Sequence, residues 1–386
     1  VIANALTYGA TLRGLWGLEP DFLTVNHGSF GAAPLCVLEA QSRWRARMEG
    51  QPSRFMRREL GPALRDAAAH LAAYVGAQAE DLAFVPNATG GCNAVLRSLC
   101  FAPDDEVLVF DHGYAAIRHA IDHVTARAGA RIVTAALPFP RPSEDAIVAA
   151  LTAAITPRTR LAVFDHITSP SAVVLPIARL VDACHAAGVP VLIDGAHGPG
   201  QVALDLGALG ADYYTGNCHK WLMAPKGSGF LHVRRDRQAG LHPLAISHGY
   251  RGGFLAEFDW TGTADASAFL AVPEAIAFHE RLGGPALLAR NVELAAEGAA
   301  CVAARLGTST SEPATQPAAM ALVRLPITPA EAAARGLGEA IVDAGADAPL
   351  HVLADTVWVR VSAQAYNERQ DYQHLAALLA TCLNGR

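Results

Sequence analysis

Seven short β-rich runs follow one another between Asp81 and Val233, mostly separated by helical stretches. They are "LAFV" (82–85), "EVLVF" (106–110), "RIVTAA" (131–136), "RLAVF" (160–164), "PVLI" (190–193), "DYYT" (212–215) and "GFLHV" (229–233). The stretch "IARLVDACHAAG" (177–188) carries apolar residues at helical spacing and ends on a glycine. This alternation is the feature that most restricts the fold. Parallel neighbours need a crossover, and helical crossovers cover both faces of the sheet they connect. The expectation is an α/β unit with a mainly parallel central sheet, whose functional groups gather beyond the carboxyl ends of the strands.

After about Ala266 the pattern changes. Two Ala-rich helical stretches (267–282 and 285–305) precede short strands at 321–325, 351–354 and 357–362, and a last helix covers 370–383. That reads as a smaller α+β domain. The division expected is an N-terminal segment 1–20, a large domain 21–265 and a small domain 266–386. The chain shows no internal repeat.

Four strand ends carry groups with chemistry to offer. After "LAFV", the small residues of "PNATGGCNAV", with Thr89, Gly90 and Gly91, open a helix and can aim backbone N–H groups at a phosphate, although an ordinary β–α turn looks the same. The string is neither a Walker loop nor G-x-G-x-x-G. After "EVLVF", Tyr114 in "DHGYAAI" offers either a core cap or a flat face for a planar ring. After "PVLI", Asp194 is a carboxylate in apolar surroundings, costly without a partner, with His197 three residues on. After "DYYT", Lys220 follows His219 in "GNCHKWL"; burial lowers a lysine's pKa and yields a nucleophilic amine. Lys226, in "APKGSG", reads instead as a solvated turn lysine. A phosphate cup, an aromatic plate, a buried acid and a buried amine, in that order, are what pyridoxal 5'-phosphate (PLP) requires.

Charge and composition narrow the partners. With 386 residues, 52% hydrophobic and 17% charged, the chain is globular. A formal charge of -6 without a basic run points away from nucleic acid and anionic membrane, toward a small molecule. The longest apolar run, 146–155, is too short to span a bilayer, and "VIANALTYGATLRGLW" lacks the pattern of a signal peptide. Seven cysteines form no C-x-x-C pair, which favours reduced thiols and a cytoplasmic location.

The motifs "VNHGSFGAAP" (25–34), "NATGGCNAVL" (87–96), "DHGYAAI" (111–117), "LIDGAHGPGQ" (192–201), "YTGNCHKWLMAPKGSGFL" (214–231), "FDWTGTADASAFLAVPEAI" (258–276) and "VWVRVSAQAYN" (357–367) span nearly the whole chain. Through them the sequence resembles the class V aminotransferase-fold PLP enzymes (fold type I), within them the isopenicillin N epimerase-like branch, and more distantly the cysteine desulfurases. The resemblance implies that Lys220 is the Schiff-base lysine, that Asp194 pairs with the pyridine nitrogen and that His197 contacts the ring O3′. It implies that Tyr114 stacks on the ring, and that Ala88 and Thr89 reach the phosphate with His219 beside it. Ser169 belongs to the cofactor set. Gly262 and Thr263 are expected at the phosphate of a neighbouring subunit, which implies a homodimer with shared sites. Arg360 is expected to clamp the substrate α-carboxylate, with Asn26, His27 and Ser29 lining the substrate side.

One departure matters. Desulfurases carry a loop cysteine near this arginine, and none of Val361–Arg369 is Cys. Sulfur transfer to the enzyme is therefore not expected, whereas C–S cleavage without a cysteine acceptor stays open. The main expectation is epimerisation at the Cα of an amino-acid-type substrate, with Lys220 as general base. The alternatives are a C–S lyase, an aminotransferase and, in another class, a non-catalytic scaffold of the same fold. His27 and His248 are the candidates for a second base. Arg54 and Arg251 are candidates for reading a second carboxylate, with solvated arginines as the plainer reading. His119 and His123 have the i, i+4 spacing of a zinc pair without the accompanying Glu, and "HGSFG" is not a nucleophile elbow, so neither a metal site nor a serine hydrolase is expected.

Overall fold

A computed structural model describes residues 8–312 and 316–384. Its largest sheet contains β1 (Leu82–Val85), β2 (Glu106–Phe110), β3 (Arg131–Ala135), β4 (Thr159–Asp165), β5 (Val191–Gly195), β6 (Tyr213–Asn217) and β7 (Gly229–Val233). The spatial order is β1-β7-β6-β5-β4-β2-β3. Neighbours are parallel except for β7, which runs antiparallel to both β1 and β6. The mainly parallel sheet read from the sequence is therefore present, with each strand within two residues of its expected bounds.

Both faces of this sheet are covered, and the strands show it residue by residue. Leu108, Phe110, Ala162, Phe164, Val191 and Ile193 belong to a core shared with the helices Leu60–Val75 and Ile177–Ala186. Their strand neighbours Val107, Val109, Leu161, Val163 and Leu192 point the other way, into a core shared with the helices Ala88–Ser98 and Ala115–Ala128. Successive side chains on a strand face opposite sides, so a strand buried on both must be apolar throughout. Helix Ile177–Ala186 buries Ile177, Leu180, Val181 and Cys184 and gives way to Gly188 at φ 72°. Burying one Leu or Ile completely contributes about 1.5–3 kcal/mol, and cutting Leu192 to Ala is expected to cost roughly 2–5 kcal/mol.

The C-terminal region forms an antiparallel sheet of β8 (Met320–Arg324), β9 (Leu350–Leu353) and β10 (Thr356–Ser362), with β10 in the middle. The helices Pro285–Leu306 and Arg369–Leu383 share its core. The stretch 267–282 is two helices rather than one, Ser267–Leu270 and Val272–Arg281. Pro273 has no N–H and crowds the preceding turn, so the chain restarts there. Residues of this stretch, including Leu270, Ala275 and Phe278, pack into the core of the large sheet. Conversely, the two-residue strand Leu23–Thr24 pairs in parallel with Ala346–Asp347, and Leu23 and Val25 lie in the C-terminal core. Residues 23–25 are thus held by the C-terminal region, and His27, just after them, bonds to the Lys220 carbonyl beyond the end of β6.

Candidate active site

Lys220 sits in a tight excursion between β6 and β7. Cys218 and His219 both donate their backbone N–H to the Ser228 carbonyl (3.0 and 3.2 Å), and Met223 donates to the Lys220 carbonyl at 3.0 Å. The amine is 3.3 Å from Nε2 of His197. Burial, with help from nearby Arg360, pushes its pKa down from the usual lysine value to about 8, against the opposing pull of Asp194. Hydrogen bonding pulls in the same direction. The Trp221 indole N–H donates to Nδ1 of His197 at 3.2 Å, so a neutral His197 carries its proton on Nε2. That N–H faces Lys220, whose amine can accept it only when unprotonated, so the contact favours the neutral form. Burial, reinforced by the charges of Lys220 and Arg360, holds His197 well below the ordinary histidine range, consistent with a neutral ring.

Asp194 lies near the end of β5 and is 3% exposed. One of its oxygens accepts the Ala196 N–H at 3.0 Å. Burial raises its pKa, opposed by that bond and by Lys220. Asp165, its registered neighbour on β4, is also buried, and burial together with Asp194 raises its carboxyl well above the usual range. Asp165 accepts the Tyr114 N–H at 3.5 Å and so sets the start of helix Ala115–Ala128.

The helix start at Ala88 is more selective than the sequence suggested. The Ala88 N–H is taken by the Asn217 side chain (2.8 Å) and the Gly90 N–H by the Asn87 side chain (2.8 Å). Thr89, between them, has its N–H and hydroxyl open to an anion. His219 donates from Nδ1 to the Ser228 carbonyl at 2.9 Å, which leaves Nε2 as its outward-facing nitrogen.

A second cluster surrounds Arg360, a fully buried guanidinium on β10. Nη1 donates to the Ser169 carbonyl (2.6 Å) and hydroxyl (3.2 Å). Nη2 donates to Asn26 Oδ1 (2.8 Å) and Ser29 Oγ (2.9 Å), while Nε has no partner. Among the described residues, no carboxylate forms an ion pair with it. Burial brings its pKa down to about 10, with Asp347 pulling the other way, so it stays charged at neutral pH. A buried guanidinium held by neutral groups is a receptor for a planar anion.

The segment "NHGSFG" joins the two clusters. His27 donates from Nε2 to the Lys220 carbonyl (3.0 Å) and accepts the Tyr366 hydroxyl at Nδ1 (2.9 Å). Gly31 has φ 69°, and a Cβ there would lie 2.1 Å from the His219 carbonyl oxygen, so no larger residue fits. Lys226 donates to the Gly31 carbonyl at 2.7 Å, a strap across the lysine turn rather than the free surface amine its sequence context suggested.

The model of the family described as aminotransferase class-V matches residues 31–375. The chain belongs to the class-V aminotransferase family. Within it, the chain is 36% identical to the isopenicillin N epimerase of Amycolatopsis lactamdurans, over 97% of this chain and 98% of that protein. It is also 36% identical to a putative L-cysteine desulfhydrase of Oryza sativa subsp. japonica, over 92% of this chain and 82% of that one. Among solved structures, a complex of the cystine C–S lyase C-DES with its reaction product cysteine persulfide superposes with a TM-score of 0.80 at 22% identity, covering 94% and 98% of the two chains.

Several residues of this class-V aminotransferase chain stand apart from the lysine cluster. Gly262 and Thr263 lie in an exposed loop, and Thr263 lines a cavity of about 940 Å³ with Trp260, Met48 and His248. Tyr114 keeps 43% of its surface exposed. His27 is no proton donor in waiting: both ring nitrogens are engaged and burial holds its pKa near 4. His248 is exposed, as are His119 and His123, and no group of metal-binding side chains occurs among the described residues. Arg54 pairs with Glu59, and Arg251 lies over the Tyr250 ring. All seven cysteines are free. No described helix is long and apolar enough to cross a membrane. Trp221, Tyr366, Asn217, Asp165 and Asp347 were not anticipated. Trp221 and Asn217 flank the lysine in sequence, so their places in the site had a local signal; the other three had none.

Proposed function

We propose that this chain is a PLP-dependent enzyme that breaks the Cα–H bond of an amino-acid-type substrate, as an epimerase of the isopenicillin N type. The observation that carries it is the buried Lys220 amine beside His197 and Asp194, its pKa lowered to about 8, with the anion receptor Arg360 close enough to contribute to that lowering. The residues present fit the cofactor. The buried carboxylate of Asp194 has an oxygen left for a cationic ring N–H, and His197 offers a fixed Nε2–H. Lys220 would carry the covalent link, and Thr89 and His219 would receive the phosphate. Bound PLP supplies an electron sink that makes the Cα proton acidic.

The chain's own residues do the rest. Arg360, with the Ser29 and Ser169 hydroxyls, orients the α-carboxylate and so fixes which bond at Cα faces Lys220. Nζ of Lys220 takes the proton, and burial lowers its pKa to about 8, within reach of the pH at which it must act as a base. A C–S lyase is the second reading, favoured by one observation: His27 is locked, so the described residues place one free base, Lys220, at the cluster. Elimination needs a base on one face only. With no cysteine in 361–369 beside Arg360, and with Cys92 and Cys218 fully buried, a cysteine acceptor plays no part in either reading.

Incubation of the PLP-loaded protein with candidate amino acids in D2O tests this. Cα deuteration with both enantiomers recovered is expected. Ammonia and pyruvate would establish the lyase, and an oxo acid with pyridoxamine phosphate an aminotransferase. Failure to bind PLP at Lys220 would overturn all three. A homodimer is part of the same proposal, supported by the exposed Gly262–Thr263 loop and by exposed Leu244, Ile246 and Tyr250; sedimentation as a monomer would overturn it. A cytoplasmic setting is supported by the seven unpaired thiols.

A further inference from the structure

Asn26 faces two demands at once. Its Oδ1 accepts from Nη2 of Arg360 at 2.8 Å and from the Ser29 hydroxyl at 2.8 Å. Its Nδ2 donates to Oδ1 of Asp347 at 2.9 Å. Turned over, the amide would set its NH2 against two donors and its oxygen against a carboxylate. A carboxylate only accepts, so Asp347 admits a single orientation of the amide. Ser29 and Arg360 favour the same one, but both are free to change partners when an anion arrives. Asp347 is not, because it bonds to the Asn26 amide nitrogen and not to the guanidinium.

Backbone pairing fixes this arrangement. Thr24 and Asp347 are registered partners in the short parallel pair that joins the chain's start to its C-terminal region. Leu23 donates to the Gly345 carbonyl at 2.8 Å, and Arg360 donates its backbone N–H to the Pro349 carbonyl at 2.9 Å. Residues 345–349 therefore hold both the backbone of Arg360 and the side chain that orients its fork.

We infer that Asp347 is a positioning residue for the carboxylate receptor: through Asn26 it holds the Arg360 guanidinium in the orientation that accepts the substrate's planar carboxylate. This rests on the reading that Arg360 receives that carboxylate. When the anion enters, the Ser29 and Ser169 hydroxyls can turn to donate to it, while the Asn26 oxygen stays on Nη2. Without Asp347 the amide loses its one acceptor-only partner, and once Ser29 turns to the anion only Nη2 of Arg360 still opposes a flip that would set a donor against the guanidinium. Asp347 touches no reacting atom, so it acts on recognition of the carboxylate and not on the lysine.

The test uses the PLP-loaded protein and two probes, L-alanine and ethylamine, which share a primary amine but differ in the carboxylate. Binding is followed by the change in the cofactor's visible absorbance. Wild type is expected to prefer L-alanine. Asp347→Ala is expected to bind L-alanine about tenfold more weakly and ethylamine unchanged. Asp347→Asn, whose side-chain oxygen can still accept from Asn26, is expected to restore most of the loss. Equal preference in wild type would sink the receptor reading and the role of Asp347 with it. Wild-type preference kept intact in Asp347→Ala would overturn the role of Asp347 alone. Equal weakening of both probes, or no recovery with Asn, would also overturn it, since general damage does not discriminate between the probes.

Discussion

The lysine cluster and the arginine cluster are both buried, and both hold a basic group, yet they are built to opposite ends. Lys220 is made easy to deprotonate: its pKa falls to about 8, and a histidine with a fixed N–H favours the amine as an acceptor. Arg360 is kept charged: burial lowers it only to about 10, and its fork is held by neutral oxygens with no direct carboxylate. An amine yields its proton on burial, whereas a delocalised guanidinium keeps it. The two also differ in assembly. His197 and Lys220 lie 23 residues apart on adjacent strand ends of one sheet, while Arg360 meets Asn26 across 334 residues and Ser169 across 191. A site that needs both a base and an anion receptor can thus draw them from one architecture by choosing which cation to bury and how far along the chain to fetch its partners.

The largest break in the comparison is Lys220→Ala. It removes the base and the covalent anchor together, and Cα–H exchange in D2O is expected to fall by about 10²–10⁴-fold, read by NMR. The Arg360 side should keep its preference for a carboxylate-bearing ligand over its decarboxylated analogue. Loss of that preference would show that the two clusters are not separable. The complementary change is Arg360→Lys, which keeps a charge and loses the planar fork. Substrate affinity is expected to weaken roughly 10–100-fold, because charge-assisted bonds are worth about 1.5–3 kcal/mol. The pH dependence of Lys220 reactivity should stay near its wild-type midpoint. A kcat loss without an affinity loss would show that Arg360 acts on the chemistry instead.

The difference in assembly also explains what could be read in advance. The strands and their carboxyl-end groups Asp194, His197 and Lys220 were legible because each follows an apolar run that announces itself within a few residues. Arg360 came only through the family resemblance, since nothing local marks an arginine in "VWVRVS" as buried. Asp347 carried no signal, because its importance comes from the pairing of Leu23–Thr24 with Ala346–Asp347, two residues on each side, too short for any periodicity to show. The opening of the phosphate cup was half legible. The small residues of "NATGG" predicted a helix start, but that Asn217 spends the Ala88 N–H depends on a side chain 129 residues away.

His27 bridges the two regions, and a substitution there separates a structural tie from a proton donor. His27→Gln is expected to lower stability by about 1–3 kcal/mol, because the Tyr366 hydroxyl or the Lys220 carbonyl loses a well-placed partner in a buried site. Denaturant unfolding reads this directly. Deuterium should still appear at Cα in both enantiomers. Recovery of a single deuterated enantiomer would make His27 the second base and overturn the locked-ring argument.

The smallest expected effect sharpens the lysine side alone. In wild type the Trp221 N–H occupies Nδ1 of His197, so its Nε2 carries the proton and cannot accept from an ammonium group. Trp221→Phe preserves most of the apolar burial and removes that N–H. His197 is then free to place its proton on Nδ1 and offer Nε2 as an acceptor. The protonated form of Lys220 gains a hydrogen bond it was denied, so its pKa should rise from about 8. One hydrogen bond is worth about 0.5–1.5 kcal/mol, and one pKa unit corresponds to about 1.4 kcal/mol, so a rise of about half a unit to one unit is expected. The fraction of neutral amine at a pH below the midpoint falls accordingly, by up to about tenfold. Alkylation of Lys220 in cofactor-free protein, followed by mass spectrometry across pH, measures both midpoints. An unchanged midpoint would mean that burial alone sets the lysine's state and the histidine tautomer contributes nothing; a lowered one would reverse the sign of the argument and remove the distinction between a lysine kept neutral by its hydrogen bonds and one kept neutral only by its surroundings.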